Sequence, residues 1–542
     1  MKRIAFVVLI GAFTGLCFGQ NTKETPKLVV GIVVDQMRFD YLTRFEKHYS
    51  AKGFKKLMND GFFARNTHFS YAPTTTAPGH ASVYSGTTPS NHGIIGNNWY
   101  DKFNDEMVYC VSDKTVAPVG TESDGGQMSP HRMLTTSVAD QNRLHSQFRG
   151  KTFAVSLKDR GAVLPAGHTA NAAYWFVGDD EGKFVSSSFY MDELPKWVKK
   201  FNKTTKNYFQ VWKPVKPVKT YIESGDDNTI YEHGFNGKDT PTFPYDLKAL
   251  KDKNGNYDIL KSTPFGNDMV TDFAIEMLKN EMLGMDDDTD FLAISFSSTD
   301  YAGHNFGPNA KEIQDMYIRL DKNIEEIISA LDSQVGKGNY ILFLTADHGV
   351  VHVPQFLKDN RIPSGYVYSN NIKNDVTAFV RESFGDASLI KNISDQSIHF
   401  NYQKLAEAKI TPKTLENALY HFLLQYDKID KVYTRQMIES SDGEYLFSSK
   451  VKNGFHPKRS GDVVYVMEPS HISSYSKKGT THGSYFSYDT QAPLLFYGKG
   501  IAKKSSYKRY HIKDIAPTVA ALLGIAQPNG TTGQIIEEAI EK

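Results

Sequence analysis

Five apolar runs punctuate the chain, and three of them end in an acid. Leu28-Val-Val-Gly-Ile-Val-Val-Asp35 has no polar side chain before its closing aspartate. Asp290-Phe-Leu-Ala-Ile-Ser-Phe-Ser-Ser-Thr-Asp300 and Tyr340-Ile-Leu-Phe-Leu-Thr-Ala-Asp347 repeat that design. Thr152-Phe-Ala-Val-Ser-Leu157 and Pro493-Leu-Leu-Phe-Tyr-Gly498 are shorter versions. Such runs suit strands buried on both faces, as in a parallel sheet. Between them, apolar residues three and four apart predict helices over 54–58, 268–283, 311–331 and 514–523. Alternation of strand and helix predicts an α/β fold, a doubly wound and mostly parallel sheet with helices on both faces. Ligands of such sheets bind beyond the carboxyl ends of the strands. Asp35, Asp300 and Asp347 stand at that edge.

Two stretches break the alternation. Residues 180–262 are rich in Lys, Asn, Tyr and Pro, and residues 353–480 mix strand and helix patterns of their own. Both are expected to be insertions that cap the sheet of one catalytic domain, residues 20–525, followed by a tail over 526–542. The first 19 residues resemble an export signal: Lys2 and Arg3, then an apolar stretch from Ile4 to Phe13 that falls short of the about 20 residues needed to cross a bilayer. Cleavage after Gly19 is expected, with a periplasmic or secreted product and no membrane anchor. Losing Lys2 and Arg3 takes the formal charge from +1 to −1, which speaks against a nucleic-acid or membrane partner. Cys110 is then the one cysteine left, so no intrachain disulfide can form.

Candidate chemistry gathers around one hydroxyl. Thr76 lies in Tyr71-Ala-Pro-Thr-Thr-Thr-Ala-Pro-Gly-His-Ala-Ser82, at or just before a predicted helix. Free N–H groups and the helix dipole favour an anion there. Taken alone, a Thr-Pro turn before a helix is most often a cap. The strand-end residues change the balance: Asp35, Asp300 with His304, Asp347 with His348, and His482 in Thr-Thr-His-Gly-Ser. Three carboxylates and three imidazoles make two good sites for a borderline divalent ion, most naturally Zn²⁺. Asp347 and His348 can share an ion only where the chain leaves the strand, because neighbours on a strand face opposite ways.

Taken in order, the motifs Val-Val-Asp-Gln-Met-Arg38, Thr-Ala-Pro-Gly-His80, His-Gly-Ile-Ile-Gly-Asn-Asn98, Asp-Tyr-Ala-Gly-His304, Thr-Ala-Asp-His-Gly349 and Thr-His-Gly483 resemble the alkaline phosphatase superfamily. The nearer likeness is to the branch of nucleotide pyrophosphatase/phosphodiesterases and phosphate-irrepressible alkaline phosphatases, over most of residues 27–525. The resemblance implies two Zn²⁺ per chain. Asp35, Asp347 and His348 would hold one, joined by Thr76 during reaction, and Asp300, His304 and His482 the other. It implies Thr76 as nucleophile, a phosphothreonine intermediate, and Asn97 as hydrogen-bond donor to a phosphoryl oxygen. Gly96 stands where related diesterases often carry Asp. His80 stands where a sulfatase would carry Arg, so a sulfatase is not expected. His80, His92, His168 and His352 are given no general-acid role, and His168 a structural one.

Lys158 and Arg160 narrow the ester. Two Zn²⁺, three aspartates and a Thr76 alkoxide leave no net charge to favour a monoester dianion. Lys158 and Arg160 are two apart and share a side while the chain is extended. Two cations there would balance the dianion and crowd a diester's second substituent, and the resemblance implies the same pair in the monoesterases. The expected activity is broad hydrolysis of small phosphate monoesters by a monomer. The rivals are a phosphodiesterase/nucleotide pyrophosphatase on the same scaffold and, more remotely, a non-catalytic phosphate-ester-binding protein.

Overall fold

The computed structural model describes residues 25–441 and 446–541; the expected signal, residues 1–19, lies outside them. Eleven strands form the main sheet: β1 (Leu28–Val34), β2 (Phe62–His68), β3 (Pro118–Val119), β4 (Thr152–Ser156), β5 (Ala172–Val177), β6 (Lys183–Ser187), β7 (Asp290–Phe296), β8 (Tyr340–Thr345), β9 (Gln491–Gly498), β10 (Lys504–Ser506) and β11 (Tyr510–His511). They run in the order β10-β2-β9-β8-β1-β7-β4-β5-β6-β3, with β11 also on β2. β8, β1, β7, β4 and β5 are mutually parallel. All seven residues of β1 are buried, as are all of β7 and β8. Side chains alternate between faces, so both faces of the sheet centre are covered. β9, the expected strand at Pro493–Gly498, runs antiparallel to both its neighbours.

The helices follow their apolar spacing with shifted ends. They include α1 (Thr76–Ser85), α2 (Asp159–Ala166), α3 (Pro264–Asn280), α4 (Ser298–Phe306), α5 (Lys311–Leu331) and α6 (Ile515–Leu523). α5 matches its expected span. α3 starts four residues earlier than its pattern, because Pro264 takes the first helical position after the extended Thr263.

The two irregular stretches are built differently. Trp212 and Tyr245, between 180 and 262, belong to the main core. They are pinned to α5: Asp315 accepts from Trp212 Nε1 at 2.7 Å and Tyr221 OH at 2.5 Å, and Glu312 accepts from Tyr245 OH at 2.7 Å. Between 365 and 473 the chain has a core of its own, with Val376, Val380, Leu415, Leu419 and Val463 buried together. There the strands Ile390–Ser394, Ser397–Phe400, Val463–Met467 and Ile429–Thr434 form an antiparallel sheet. No helix among the described residues is long and apolar enough to cross a membrane.

Candidate active site

The strand register assembles the site. Val33, Ser156, Ser295 and Thr345 lie abreast across β1, β4, β7 and β8. The residues just beyond them therefore meet at one edge. Asp35 follows β1, Asp347 and His348 follow β8, and Lys158 follows β4. Asp300 is not at a strand end as expected. β7 stops at Phe296, and Asp300 stands in the first turn of α4, one helical turn before His304. That i,i+4 spacing puts Asp300 Oδ1 3.2 Å from His304 Nε2. His482 Nε2 lies 3.5 Å from the same oxygen.

Thr76 is the first residue of α1, after the extended Thr75, and is buried. Gly79 lets this helix end press on Asp347: a Cβ there would stand 2.4 Å from the Asp347 carbonyl oxygen. Asn97 accepts from the Ala77 N–H at 2.9 Å through its Oδ1, which leaves its NH₂ as the free donor.

Three imidazoles are oriented from behind. Nδ1 of His304, His348 and His482 lies 2.8, 3.0 and 2.8 Å from the carbonyls of Thr480, Gly349 and Thr74. Each ring therefore offers Nε2 to the centre, the usual arrangement of ligating histidines. The rings of His348 and His482 stack at 3.5 Å. Burial pushes the His348 pKa down to about 3, and burial with His348 beside it holds His482 well below the usual value. Both rings are neutral, the state that binds a metal.

The donors fit a metal centre. Asp35 Oδ1, Asp347 Oδ2 and His348 Nε2 are buried with no hydrogen-bond partner. His348 Nε2 stands 3.4 Å from the first of these oxygens and 3.6 Å from the second. Burial, then the Asp35 carboxylate, pushes Asp347 well above the carboxylate range. Like charges and unpaired atoms packed this way are costly unless a cation takes them. Two tight donor groups result, Asp300 with His304 and His482, and Asp35 with Asp300 and His348. Asp300 belongs to both.

Lys158 reaches the centre, and Arg160 does not reach it the way its spacing implied. Lys158 Nζ donates to Asp35 Oδ2 and Asp300 Oδ2, both at 2.6 Å, and lies 3.3 Å from Thr76 Oγ1. Burial works against its charge, and Asp300 and Asp35 more than compensate, raising its pKa. The extended chain ends sooner than the Lys-x-Arg argument required. Lys158 is the last extended residue and Asp159 already opens α2. Arg160 thus turns with the helix, and its Nη1 donates to Tyr109 OH at 2.9 Å, whose own hydroxyl bonds Asp159.

Gln36 was not singled out by chemistry and His80 was given no general-acid role, yet both touch the centre. Gln36 has left-handed backbone, φ 63°, and is buried. Its N–H donates to Asp347 Oδ1 at 3.1 Å and its Nε2 to Asp300 Oδ1 at 2.6 Å. Gly303 makes room, since a Cβ there would lie 1.8 Å from the Gln36 amide oxygen. His80 stands between the Thr76 carbonyl and Ser295 Oγ, 2.9 Å from each. His168 packs on Asp140 and the Met133 carbonyl, away from the centre.

A cavity of about 470 Å³ opens beside Thr75, Asn97 and His482. Its far wall includes the small sheet, through Gln396 and Tyr465.

Known proteins resemble this chain along most of its length. The model of the type I phosphodiesterase/nucleotide pyrophosphatase family matches residues 29–489. A Myroides odoratus protein named calcium-transporting ATPase is 43% identical over 525 residues, 96% of this chain and 95% of its own. Alkaline phosphatase PafA of Elizabethkingia meningoseptica is 42% identical over 524 residues, 96% and 95% of the two chains. The crystal structure of wild-type alkaline phosphatase PafA matches with a TM-score of 0.91 at 41% identity, covering 95% of this chain and 99% of that one. The chain belongs to the type I phosphodiesterase/nucleotide pyrophosphatase family.

Proposed function

We propose that the protein is an exported alkaline phosphatase that hydrolyses small phosphate monoesters, with Thr76 as its nucleophile. The carrying observation is Lys158: a buried cation 3.3 Å from Thr76 Oγ1 and in contact with two of the aspartates. It puts positive charge where a dianion needs it. The family name points to diesters as well, and the likeness to PafA favours the monoester.

Two Zn²⁺ would be held by Asp35, Asp347 and His348, and by Asp300, His304 and His482, and would supply Lewis-acid activation of nucleophile and leaving group. The chain's own residues do the rest. Thr76 Oγ1 bonds to phosphorus as the ester oxygen leaves, forming phosphothreonine. Water then cleaves that bond, releasing phosphate and restoring Thr76. The free NH₂ of Asn97 and the Lys158 ammonium donate to the non-bridging oxygens, where charge spreads in a loose transition state. Arg160, anchored by Tyr109, completes the cationic side. The segments 180–262 and 353–480 act as caps, and the cavity under the second receives the leaving group. Nothing in the site's geometry carries the transport name of the Myroides relative over to this chain.

One experiment tests this. Metal-stripped and Zn²⁺-reloaded protein, wild type and Thr76→Ala, is assayed on phosphate monoesters, diesters and sulfate esters. Zinc restores a monoesterase, and Thr76→Ala lowers its turnover by about 10³-fold or more while keeping its zinc. Turnover that ignores metal removal, or survives in Thr76→Ala, sinks the mechanism. Faster turnover of diesters makes the protein a phosphodiesterase.

A further inference from the structure

Asp300 presents one oxygen to two imidazoles, and that oxygen is already held from another side. Oδ1 lies 3.2 Å from His304 Nε2 and 3.5 Å from His482 Nε2. It also accepts from Gln36 Nε2 at 2.6 Å. A carboxylate oxygen has two lone pairs. One goes to the amide, and the other remains for an ion between the imidazoles. Lys158 holds the second oxygen, Oδ2, but its ammonium is also the group assigned above to the phosphoryl oxygens. The neutral Gln36 amide has Asp300 as its partner and adds no charge to the centre.

Two locally disfavoured residues meet at this contact. Among the described non-glycine residues with left-handed φ, Gln36 is the only buried one. A side-chain-bearing residue keeps such a backbone where its surroundings over-determine it. Here the Gln36 N–H donates to Asp347 Oδ1 at 3.1 Å, the Gln36 amide donates to Asp300, and the Asp35 carbonyl accepts from Thr299 Oγ1 at 2.5 Å. The second residue is Gly303, inside α4 and one position before His304. Glycine weakens a helix interior. A Cβ there would lie 1.8 Å from the Gln36 amide oxygen, so the helix goes without a side chain where the amide packs.

We propose that Gln36 is a positioning residue that ties the two metal sites into one unit. Its backbone fixes Asp347 of the group with Asp35 and His348. Its side chain fixes Asp300 of the group with His304 and His482, and Gly303 is the space that lets it do so. The inference rests on the two-zinc reading above. It carries an asymmetry. The bond to Asp347 comes from the main chain and survives loss of the side chain, whereas the bond to Asp300 does not. Removing the amide should therefore weaken the Asp300 group and spare the other. Partners of this kind behind a metal ligand typically carry about 10–100-fold in affinity.

Metal-stripped full-length protein is titrated with Zn²⁺ against a competing chelator, and bound zinc is counted. Wild type should take two ions per chain, and His304→Ala marks which binding step belongs to the Asp300 group. Gln36→Gly keeps the left-handed backbone and the N–H but lacks the amide. It should weaken that step by about tenfold or more and leave the other step unchanged. Gly303→Ala leaves residue 36 intact, suits the helix, and pushes the amide off Asp300. It should reproduce the same selective loss, and it decides the matter alone if Gln36→Gly does not fold. Wild-type affinity at both steps in the variants overturns the proposal. So does equal weakening of both, the mark of a merely structural residue. A wild type that binds no zinc overturns the two-zinc reading along with it.

Discussion

Lys158 is a buried cation with two carboxylates and a hydroxyl in reach, and charge at such a position discriminates among esters. Lys158→Ala should lower monoester turnover by about 10²-fold or more, the scale of one transition-state donor, and cost diesters far less. The ratio of kcat/KM for an aryl phosphate and its methyl diester reads this directly. Equal losses on both would show that Lys158 only stabilises the aspartates. Its partner was harder to read from sequence. The side to which Arg160 projects depends on where β4 gives way to α2, and the turn falls at Lys158 itself. The ionic residues of the centre were legible because each stands beside a strand run or in a spaced motif. Gln36 was not, because a neutral amide carries no signal of its own; its role needs the distance to Asp300, 264 residues away.

Among the elements, α1 is placed by contact and not by propensity. All ten of its residues are buried, so no amphipathic stripe marks it. Pro78 and the hydroxyls before it announced a helix start, and Gly79 explains why the start abuts Asp347. Gly79→Ala would force a methyl to within 2.4 Å of a backbone oxygen, so helix or loop must shift. The protein should lose roughly 1–3 kcal/mol of stability, measurable by denaturant titration. Its kcat should fall by about 10²-fold, the effect of a small displacement of a reacting group. A variant with wild-type kcat would mean that the contact does not position Thr76. Helix limits elsewhere were legible to within a few residues. α4 was read as the tail of β7, since Ser-Ser-Thr-Asp300 continues an apolar run without a visible break.

For the whole molecule, the central sheet was legible because its strands are short, apolar and buried on both faces. The small sheet between 390 and 467 was legible only as an irregular stretch, since its strands Ile390–Ser394 and Ile429–Thr434 are half exposed and mix polar with apolar residues. The export signal expected over residues 1–19 would leave a mature protein that begins at Gln20. Amino-terminal sequencing of the extracytoplasmic protein checks this, and a mature chain that retains Lys2 and Arg3 would mean that the segment is not removed.

The reversed direction of β9 has a consequence for how this centre can be built at all. Thr345 at the end of β8 pairs with Leu494 near the beginning of β9, and Ile341 with Gly498. The entry to β9 therefore lies at the same edge as the exits of its parallel neighbours, and the segment before it, which carries His482, arrives where Asp35 and Asp347 leave. A parallel strand in that slot would deliver its preceding loop to the opposite edge. One inverted strand thus lets the chain contribute on its way into the sheet as well as on its way out, and draws residues some 450 positions apart to a single rim.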